Sequence, residues 1–190
     1  MRYSRRVPSS SDRWSTRHSV QATAQRTAAI VNVLSAENPA TDTVAEVLRE
    51  HGEVGPIELS VNDIADMRAA ALMLREVFAA DHVDLAASLL NRLLQRNVGT
   101  LRLTSHDGLS PWHPHLDSDD DAPWGEWLLA SSCLALIIRI WDHQRPPGGI
   151  CASPSCQNVY IAQGSGPARR YCSRRCATRE RVAAHRRSRA

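Results

Sequence analysis

The chain has 190 residues, of which 43% are hydrophobic, and a formal net charge of +3. This length suits one or two domains, and the hydrophobic share is enough for a folded core, which excludes a chain disordered throughout. The charge is unevenly distributed: residues 1–26 contain six Arg and one Asp, residues 27–150 contain eight Arg against eighteen Asp and Glu, and residues 151–190 contain nine Arg and one Glu. An acidic body therefore lies between two basic ends.

The basic N-terminal segment, residues 1–26, is rich in Ser and Arg, which predicts a flexible arm. It lacks the apolar segment of a secretory signal, and no apolar run in the chain approaches the roughly 20 residues that span a bilayer. We therefore expect a cytoplasmic protein without membrane association. In that reducing compartment, cysteines are metal ligands or core residues more often than they are disulfides.

Hydrophobic periodicity predicts four helices in the first half of the chain. Ser60, followed three residues later by Asp63, forms a near capping box at the start of the third helix. After the helices, the alternating residues 100–104 predict a short strand, and a second short strand is expected around residues 112–116. The predicted helices cover residues 21–35, 41–51, 61–80 and 83–96.

The segment 124–143 is the most apolar predicted helix. The Arg145-Pro-Pro-Gly-Gly sequence after it cannot continue a helix, so residues 146–149 are predicted to be a linker. The expected fold class is therefore α+β: a mainly helical N-terminal domain with a short β element, followed by a small C-terminal module. On the apolar helix, the residues expected to form a buried stripe are Trp127, Leu134, Ile137, Ile138 and Trp141.

Four of the five cysteines lie in the basic C-terminal segment, in two close pairs. Successive members are separated by four, fifteen and three residues, a layout typical of a four-cysteine structural zinc site. Two disulfides or four unpaired thiols are the alternatives, but so basic a segment has too few apolar residues to fold by burial alone. Zinc ligation would supply the missing stability, and four sulfur ligands would leave no open position for catalysis. The predicted ligands of the single structural Zn²⁺ are Cys151, Cys156, Cys172 and Cys176.

The cysteine spacing predicts a treble-clef or ribbon-like module with a hairpin between the pairs and a helix after them. The expected hairpin strands are residues 157–163 and 168–171, and the Arg-rich helix begins at Ser173. A helix with cations on two flanks suits phosphate binding, although it could instead dock onto the acidic body. The fifth cysteine, Cys133, lies in the apolar helix and is expected to be a buried free thiol.

The C-terminal segment resembles the CGNR zinc finger family, bacterial proteins in which a helical ABATE domain precedes a zinc finger. The first two cysteines match the first pair of the family, Val159-Tyr160 matches its hydrophobic-aromatic step, and residues 169–173 match its Arg-Arg-aromatic-Cys-Ser segment. The CGNR sequence stands here as Cys176-Ala-Thr-Arg179, so Gly and Asn are replaced.

Weaker similarity extends upstream, to Ile30-Val-Asn-Val-Leu34, Leu90-Asn-Arg-Leu-Leu94 and Trp112-His-Pro-His115. The resemblance implies an ABATE-like domain over residues 27–145 and a CGNR-like zinc finger over residues 150–190. It also implies a DNA-binding transcriptional regulator.

We expect DNA as the partner, with the helical domain serving as a dimerisation domain or as the binding site of a small-molecule effector. A protein-interaction module with an acidic partner and an RNA-binding protein are the alternatives. Nothing in the sequence indicates an enzyme. His113 and His115, with Asp117, could bind a metal, but a structural role for them is favoured. The residues expected to contact nucleic acid are Arg169, Arg170, Arg174, Arg175, Arg179, Arg181, Arg186 and Arg187.

Overall fold

The computed structural model describes residues 19–53, 56–97, 99–108, 112–162 and 169–189. Within these ranges the protein is mainly helical and has two small antiparallel hairpins, which confirms the predicted fold class. The helices are α1 (Val20–Leu34), α2 (Thr41–Glu50), α3 (Val61–Ala79), α4 (Val83–Asn97), α5 (Trp124–His143) and α6 (Arg174–Arg187). The strands are β1 (Arg102–Thr104), β2 (His113–His115), β3 (Gly148–Ile150) and β4 (Val159–Ile161).

Serine side chains set the starts of three helices by accepting hydrogen bonds from backbone amides that the helix itself leaves unpaired. Ser19 caps α1, and Ser173 caps α6. Ser60 caps α3 by accepting from the Asp63 amide, while the Asp63 carboxylate accepts from the Ser60 amide, so the predicted capping box is confirmed. Because α1 already begins at Val20, the end of the segment predicted as a flexible arm is helical, and residues 1–18 lie outside the described residues.

Helix α5 lies at the centre of the helical domain, where it packs against α1, α3 and α4. The prediction of a buried stripe on this helix is wrong, because Trp141, one of the residues expected in the stripe, is 74% exposed. This helix is apolar on every side, so its sequence does not select the face that neighbouring helices cover. Its fully buried side chains include Leu128, Cys133 and Leu136. They join a core whose largest members are Ile30, Leu34, Leu48, Met67, Leu74, Phe78 and Leu90.

By length and composition alone, α5 is also apolar enough to cross a membrane, although half of its apolar window is buried inside the protein. The expectation that no apolar run approaches such a length therefore fails for this helix. Its buried Arg139 donates to the side chain of Gln21 and to the carbonyl of Ala162. A buried guanidinium paired with two other segments of the protein is typical of a core helix, since charges inside lipid are costly.

Strands β1 and β2 form the first hairpin, which confirms the two short strands predicted here. Arg102 on β1 binds two of the four aspartates in residues 117–121, the loop that follows β2, with 2.7 Å between its Nη2 atom and Asp117 Oδ1 and 2.5 Å between Nη1 and Asp120 Oδ1. Burial alone would raise the pKa of both carboxyls. Hydrogen bonds and nearby positive charge outweigh it and lower the pKa of Asp120 to about 2 and that of Asp117 below its usual value.

Strands β3 and β4 form the second hairpin, which packs on α1 and α3. Gly148 and Gly149, predicted to be part of a linker, instead pair with Ile161 and Tyr160. A Cβ atom at Gly148 would lie 1.9 Å from the Tyr160 carbonyl oxygen, so only glycine allows this close approach. The pairing also corrects the predicted hairpin, because the partner of β4 precedes the first cysteine and does not follow the 164–167 turn, which lies outside the described residues.

Candidate metal centre

The four predicted zinc ligands converge. Their Sγ atoms all lie within 4.8 Å of one another, with 3.6 Å between Cys156 and Cys172 and 3.7 Å between Cys172 and Cys176. A disulfide would require about 2.05 Å between two sulfurs, and all four cysteines are free. The zinc-ligand prediction is therefore supported in geometry, and the disulfide alternative is not.

The sulfur arrangement fits a tetrahedral zinc ion. With a Zn–S distance of about 2.3 Å, tetrahedral geometry places neighbouring sulfurs about 3.8 Å apart, close to the separations in the structure. Cys151 and Cys176 are buried, which protects the site from solvent. Four sulfur donors match the composition of a closed structural site, so this module can hold one structural Zn²⁺.

The thiols differ in how readily they lose a proton. Burial raises the pKa of Cys172 to about 12, and hydrogen bonding to the three other cysteine sulfurs adds to the increase. At Cys151, hydrogen bonds from the backbone amides of Cys172 and Ser153 outweigh burial and lower the pKa to about 7. Because zinc binds thiolates, filling this site releases the protons that the metal-free cluster retains.

Short local structures position the two cysteine pairs. The Cys156 amide donates to the Ser153 carbonyl at 2.9 Å, which closes a turn within the first pair. The second pair spans the start of α6, where the Cys176 amide donates to the Ser173 side chain at 3.2 Å. The helix start predicted at Ser173 is thus confirmed.

A polar network that the sequence analysis did not anticipate joins the first pair to α6. Ser153, only 1% exposed, donates to Glu180 Oε1 at 2.6 Å and accepts from Arg179 Nη2 at 2.7 Å. The same Nη2 atom lies 3.5 Å from Cys176 Sγ. Arg179, which matches the last residue of the CGNR sequence, therefore places a positive charge beside the sulfurs. The position of Arg179 in the Cys-x-x-Arg sequence was the signal from which a role beside the cysteines could have been predicted.

Arg169 supports the second pair. Its Nε atom donates to the Tyr171 carbonyl at 2.6 Å, and its Nη2 atom donates to the Cys172 carbonyl. Its guanidinium lies 5.3 Å from the centre of the Tyr160 ring, and the Tyr160 hydroxyl donates back to the Arg169 carbonyl. Arg169 and Arg179, both predicted to contact nucleic acid, thus make bonds inside the module.

The remaining predicted contact residues are exposed: Arg170, Arg174, Arg175, Arg181, Arg186 and Arg187. On a helix with 3.6 residues per turn, most of the cations of α6 and its C-terminal end fall within an arc of about 140° opposite Cys176 and Ala183. We call this arc the cationic face. It consists of Arg174, Arg175, Arg181, His185, Arg186 and Arg189, all exposed.

Residues 149–189 match the family model of the CGNR zinc finger. This segment includes all four cysteines and the whole of α6. This segment is therefore similar to the CGNR zinc finger, as the resemblance implied. No curated protein matches the chain. The assignment of residues 27–145 to an ABATE-like domain remains a prediction.

Proposed function

We propose that this protein is a cytoplasmic, DNA-binding transcriptional regulator that contacts DNA through the cationic face of α6. The observation that carries the proposal is the division of α6 into two sides. One side holds Cys176 and Glu180, which belong to the zinc module, and the opposite side exposes six cationic or titratable side chains. The metal fixes the start of the helix and thereby the direction in which the cationic face points.

Electrostatics support an external partner for α6. Among the described residues, no ion pair joins an arginine of α6 to a carboxylate of the acidic body, and the ion pair of α6 is the local one between Arg179 and Glu180. Docking onto the body would neutralise the cationic face and bury part of it. The exposed arginines are therefore accessible to the phosphates of an external partner, which supports the proposal.

The dimensions of α6 suit a duplex. Its 14 residues give a length of about 21 Å, and a helix of ordinary diameter fits the major groove of B-DNA. Single-stranded RNA is usually held by bases stacked on exposed aromatic rings. In this module Arg169 lies against the Tyr160 ring and Arg170 lies 5.8 Å from the centre of the Tyr171 ring. Because these contacts occupy the tyrosine rings on which RNA bases would stack, they favour duplex DNA over RNA.

In this proposal the helical domain has no catalytic role. It serves as a dimerisation or effector-binding domain joined rigidly to the zinc finger. The β3–β4 hairpin supports this coupling, because Val159 and Ile161 are buried in the same core cluster as the helices. A change in the packing of α1 or α3 would therefore reach the module that carries α6.

The test measures binding of the full, zinc-loaded chain to a fluorescent duplex of random sequence by anisotropy. The double variant Arg175→Ala/Arg186→Ala should weaken binding at every salt concentration and reduce the magnitude of the log–log salt slope by about 2. The control, Arg92→Ala/Arg96→Ala, removes the same charge from exposed positions on α4 and should bind nearly as the wild type does.

Equal binding by both double variants would contradict the proposal. So would binding to polyglutamate with no binding to the duplex, because that result identifies an acidic protein as the partner of α6.

A further inference from the structure

Three histidines converge beside the first hairpin, far along the chain from the cysteines. His113 and His115 lie two residues apart on β2, so their side chains extend from the same face of the strand. His106 follows β1. The Nε2 atom of His113 lies 3.2 Å from that of His106 and 3.0 Å from that of His115. These three side chains can supply three nitrogen ligands to one point.

The backbone holds His106 in an unusual conformation to achieve this. Its φ is 46°, and that of Asp107 is 56°, both in the left-handed region that residues with a Cβ rarely adopt. Such strain persists only where surrounding interactions maintain it, and it is concentrated at functional sites. Here it turns the chain after β1 so that the His106 ring meets the rings of β2, with ring centres 5.0 and 5.1 Å apart.

Carboxylates fix the orientation of two of the rings. His115 Nδ1 lies 2.8 Å from Asp117 Oδ1, and His106 Nδ1 lies 3.1 Å from Asp120 Oδ2. When Nδ1 carries the proton that it donates to a carboxylate, Nε2 of a neutral imidazole presents a lone pair. His106 and His115 therefore both direct lone pairs towards His113. Metal-ligating histidines almost always donate their other ring N–H to a carboxylate, a backbone carbonyl or a water, and a carboxylate takes that place at both rings here.

The distances fit a metal ion at the point of convergence. Zn–N bonds of about 2.0–2.1 Å in tetrahedral geometry place the nitrogens about 3.3 Å apart, close to both separations in the structure. The three nitrogen donors supplied by this cluster would leave one tetrahedral position open. That composition differs from the four-sulfur site, where the protein fills the whole shell.

The coordination position left open by the three histidines would face a pocket. All three histidines line an open pocket of about 520 Å³ between the hairpin, α1 and α5. Its other walls combine apolar side chains, among them Trp124, Trp127, Leu134 and Ile138, with acidic ones from Glu53, Asp117, Asp120 and Asp121. The guanidinium of Arg26 stacks 4.4 Å from the centre of the Trp127 ring and is paired with Glu53, so its charge is compensated. The pocket therefore suits a ligand with an apolar or aromatic body.

We propose that His106, His113 and His115 bind a divalent transition-metal ion, zinc foremost, through their Nε2 atoms. We further propose that the fourth ligand is a small molecule whose carboxylate binds the metal while its aromatic body lies against the tryptophans. This second metal centre assigns an effector site to the helical domain. It stands independently of DNA binding, because none of its residues belongs to the zinc finger.

The first test is the metal content of the full chain after dialysis against buffered Zn²⁺. We expect two zinc ions per chain in the wild type and in the control His143→Ala, whose exposed histidine ends α5. We expect one in His115→Ala and one in Cys172→Ser. If His115→Ala does not fold, His106→Gln replaces it, since that residue lies in a turn at the surface of the hairpin. One zinc ion per chain in the wild type overturns the proposal.

The second test uses Co²⁺ in place of zinc and benzoate as the probe ligand. The four-sulfur site gives thiolate-to-cobalt charge-transfer absorption, whereas the three-histidine site gives only visible ligand-field bands. Benzoate should shift the ligand-field bands of Cys172→Ser, in which the histidine site remains, and have no effect on those of His115→Ala. Unchanged bands in Cys172→Ser at saturating benzoate would refute the open coordination position.

Discussion

The side chain of Asn32 joins the helical domain to the zinc finger, and its replacement tests how strongly the two are coupled. On α1, its Nδ2 atom donates to the Val159 carbonyl at 3.0 Å, and its Oδ1 atom accepts from the Val159 amide at 2.7 Å. Val159 is 1% exposed, and it pairs with Ile150 on β3. Backbone bonds flank this pair, from Cys151 to Asn158 and from Ala162 to Pro147.

The alternation of an antiparallel ladder therefore turns the polar groups of Val159 away from β3 and towards α1. In Asn32→Ala, a buried N–H and a buried C=O lose their partners. Each unsatisfied group costs about 1–3 kcal/mol, and the better helix propensity of alanine returns about 0.5 kcal/mol. We expect the free energy of unfolding to fall by about 1.5–5.5 kcal/mol. For a chain of this size, that loss lowers the melting temperature on the order of 10 °C.

The assay is urea denaturation of the zinc-loaded chain, followed by circular dichroism. The matched control is Asn91→Ala, because Asn91 is exposed on α4 and its replacement changes only the local propensity. A loss below about 0.5 kcal/mol in Asn32→Ala, or a small gain like the one expected of the control, would refute the coupling between α1 and the hairpin.

Three further predictions concern the hairpin and the cysteines. Gly148→Ala places a Cβ atom 1.9 Å from the carbonyl oxygen of the paired strand, so the free energy of unfolding should fall by at least about 2 kcal/mol in urea denaturation. Arg179→Ala removes a cation 3.5 Å from Cys176 Sγ, and competition with a chelator should show zinc affinity about 10–100-fold weaker, with Arg92→Ala unchanged. Burial raises the pKa of Cys133 to about 12, so at pH 8 only about one thiol in 10⁴ is ionised. Removing zinc unfolds the small zinc finger and thereby exposes its four cysteines, Cys172 among them, whereas Cys133 stays buried in the helical core. In chelator, a thiol reagent should therefore modify four cysteines quickly and Cys133 only when the core unfolds; five fast thiols would contradict its burial.

Sequence reasoning succeeded where the signal is local. The capping serines fix helix starts at Ser60 and Ser173 through bonds within one turn, and the cysteine spacing identifies the metal ligands because short turns bring each pair together. The hydrophobic pattern of α5 predicted where the helix begins and ends. It did not predict the buried face, because the helix carries apolar residues on every side.

Features that depend on contacts between distant segments were missed. Strand β3 contains two glycines in three residues, a composition that by itself predicts a hinge. Only its pairing with β4 identifies it as a strand. His106 carried no signal, because it joins His113 only through the register of the first hairpin. The network of Ser153, Arg179 and Glu180 likewise requires the first cysteine turn to lie against α6.

In the proposed function the zinc finger binds DNA through its cationic face, and the salt dependence of binding is the decisive measurement. The dissociation constant of the zinc-loaded chain for duplex DNA should be measured over a series of salt concentrations. If α6 engages about five phosphates, the logarithm of the binding constant should fall against the logarithm of salt concentration with a slope of about −4 to −5. A flat salt response, or the same slope in Cys172→Ser, would contradict the proposal.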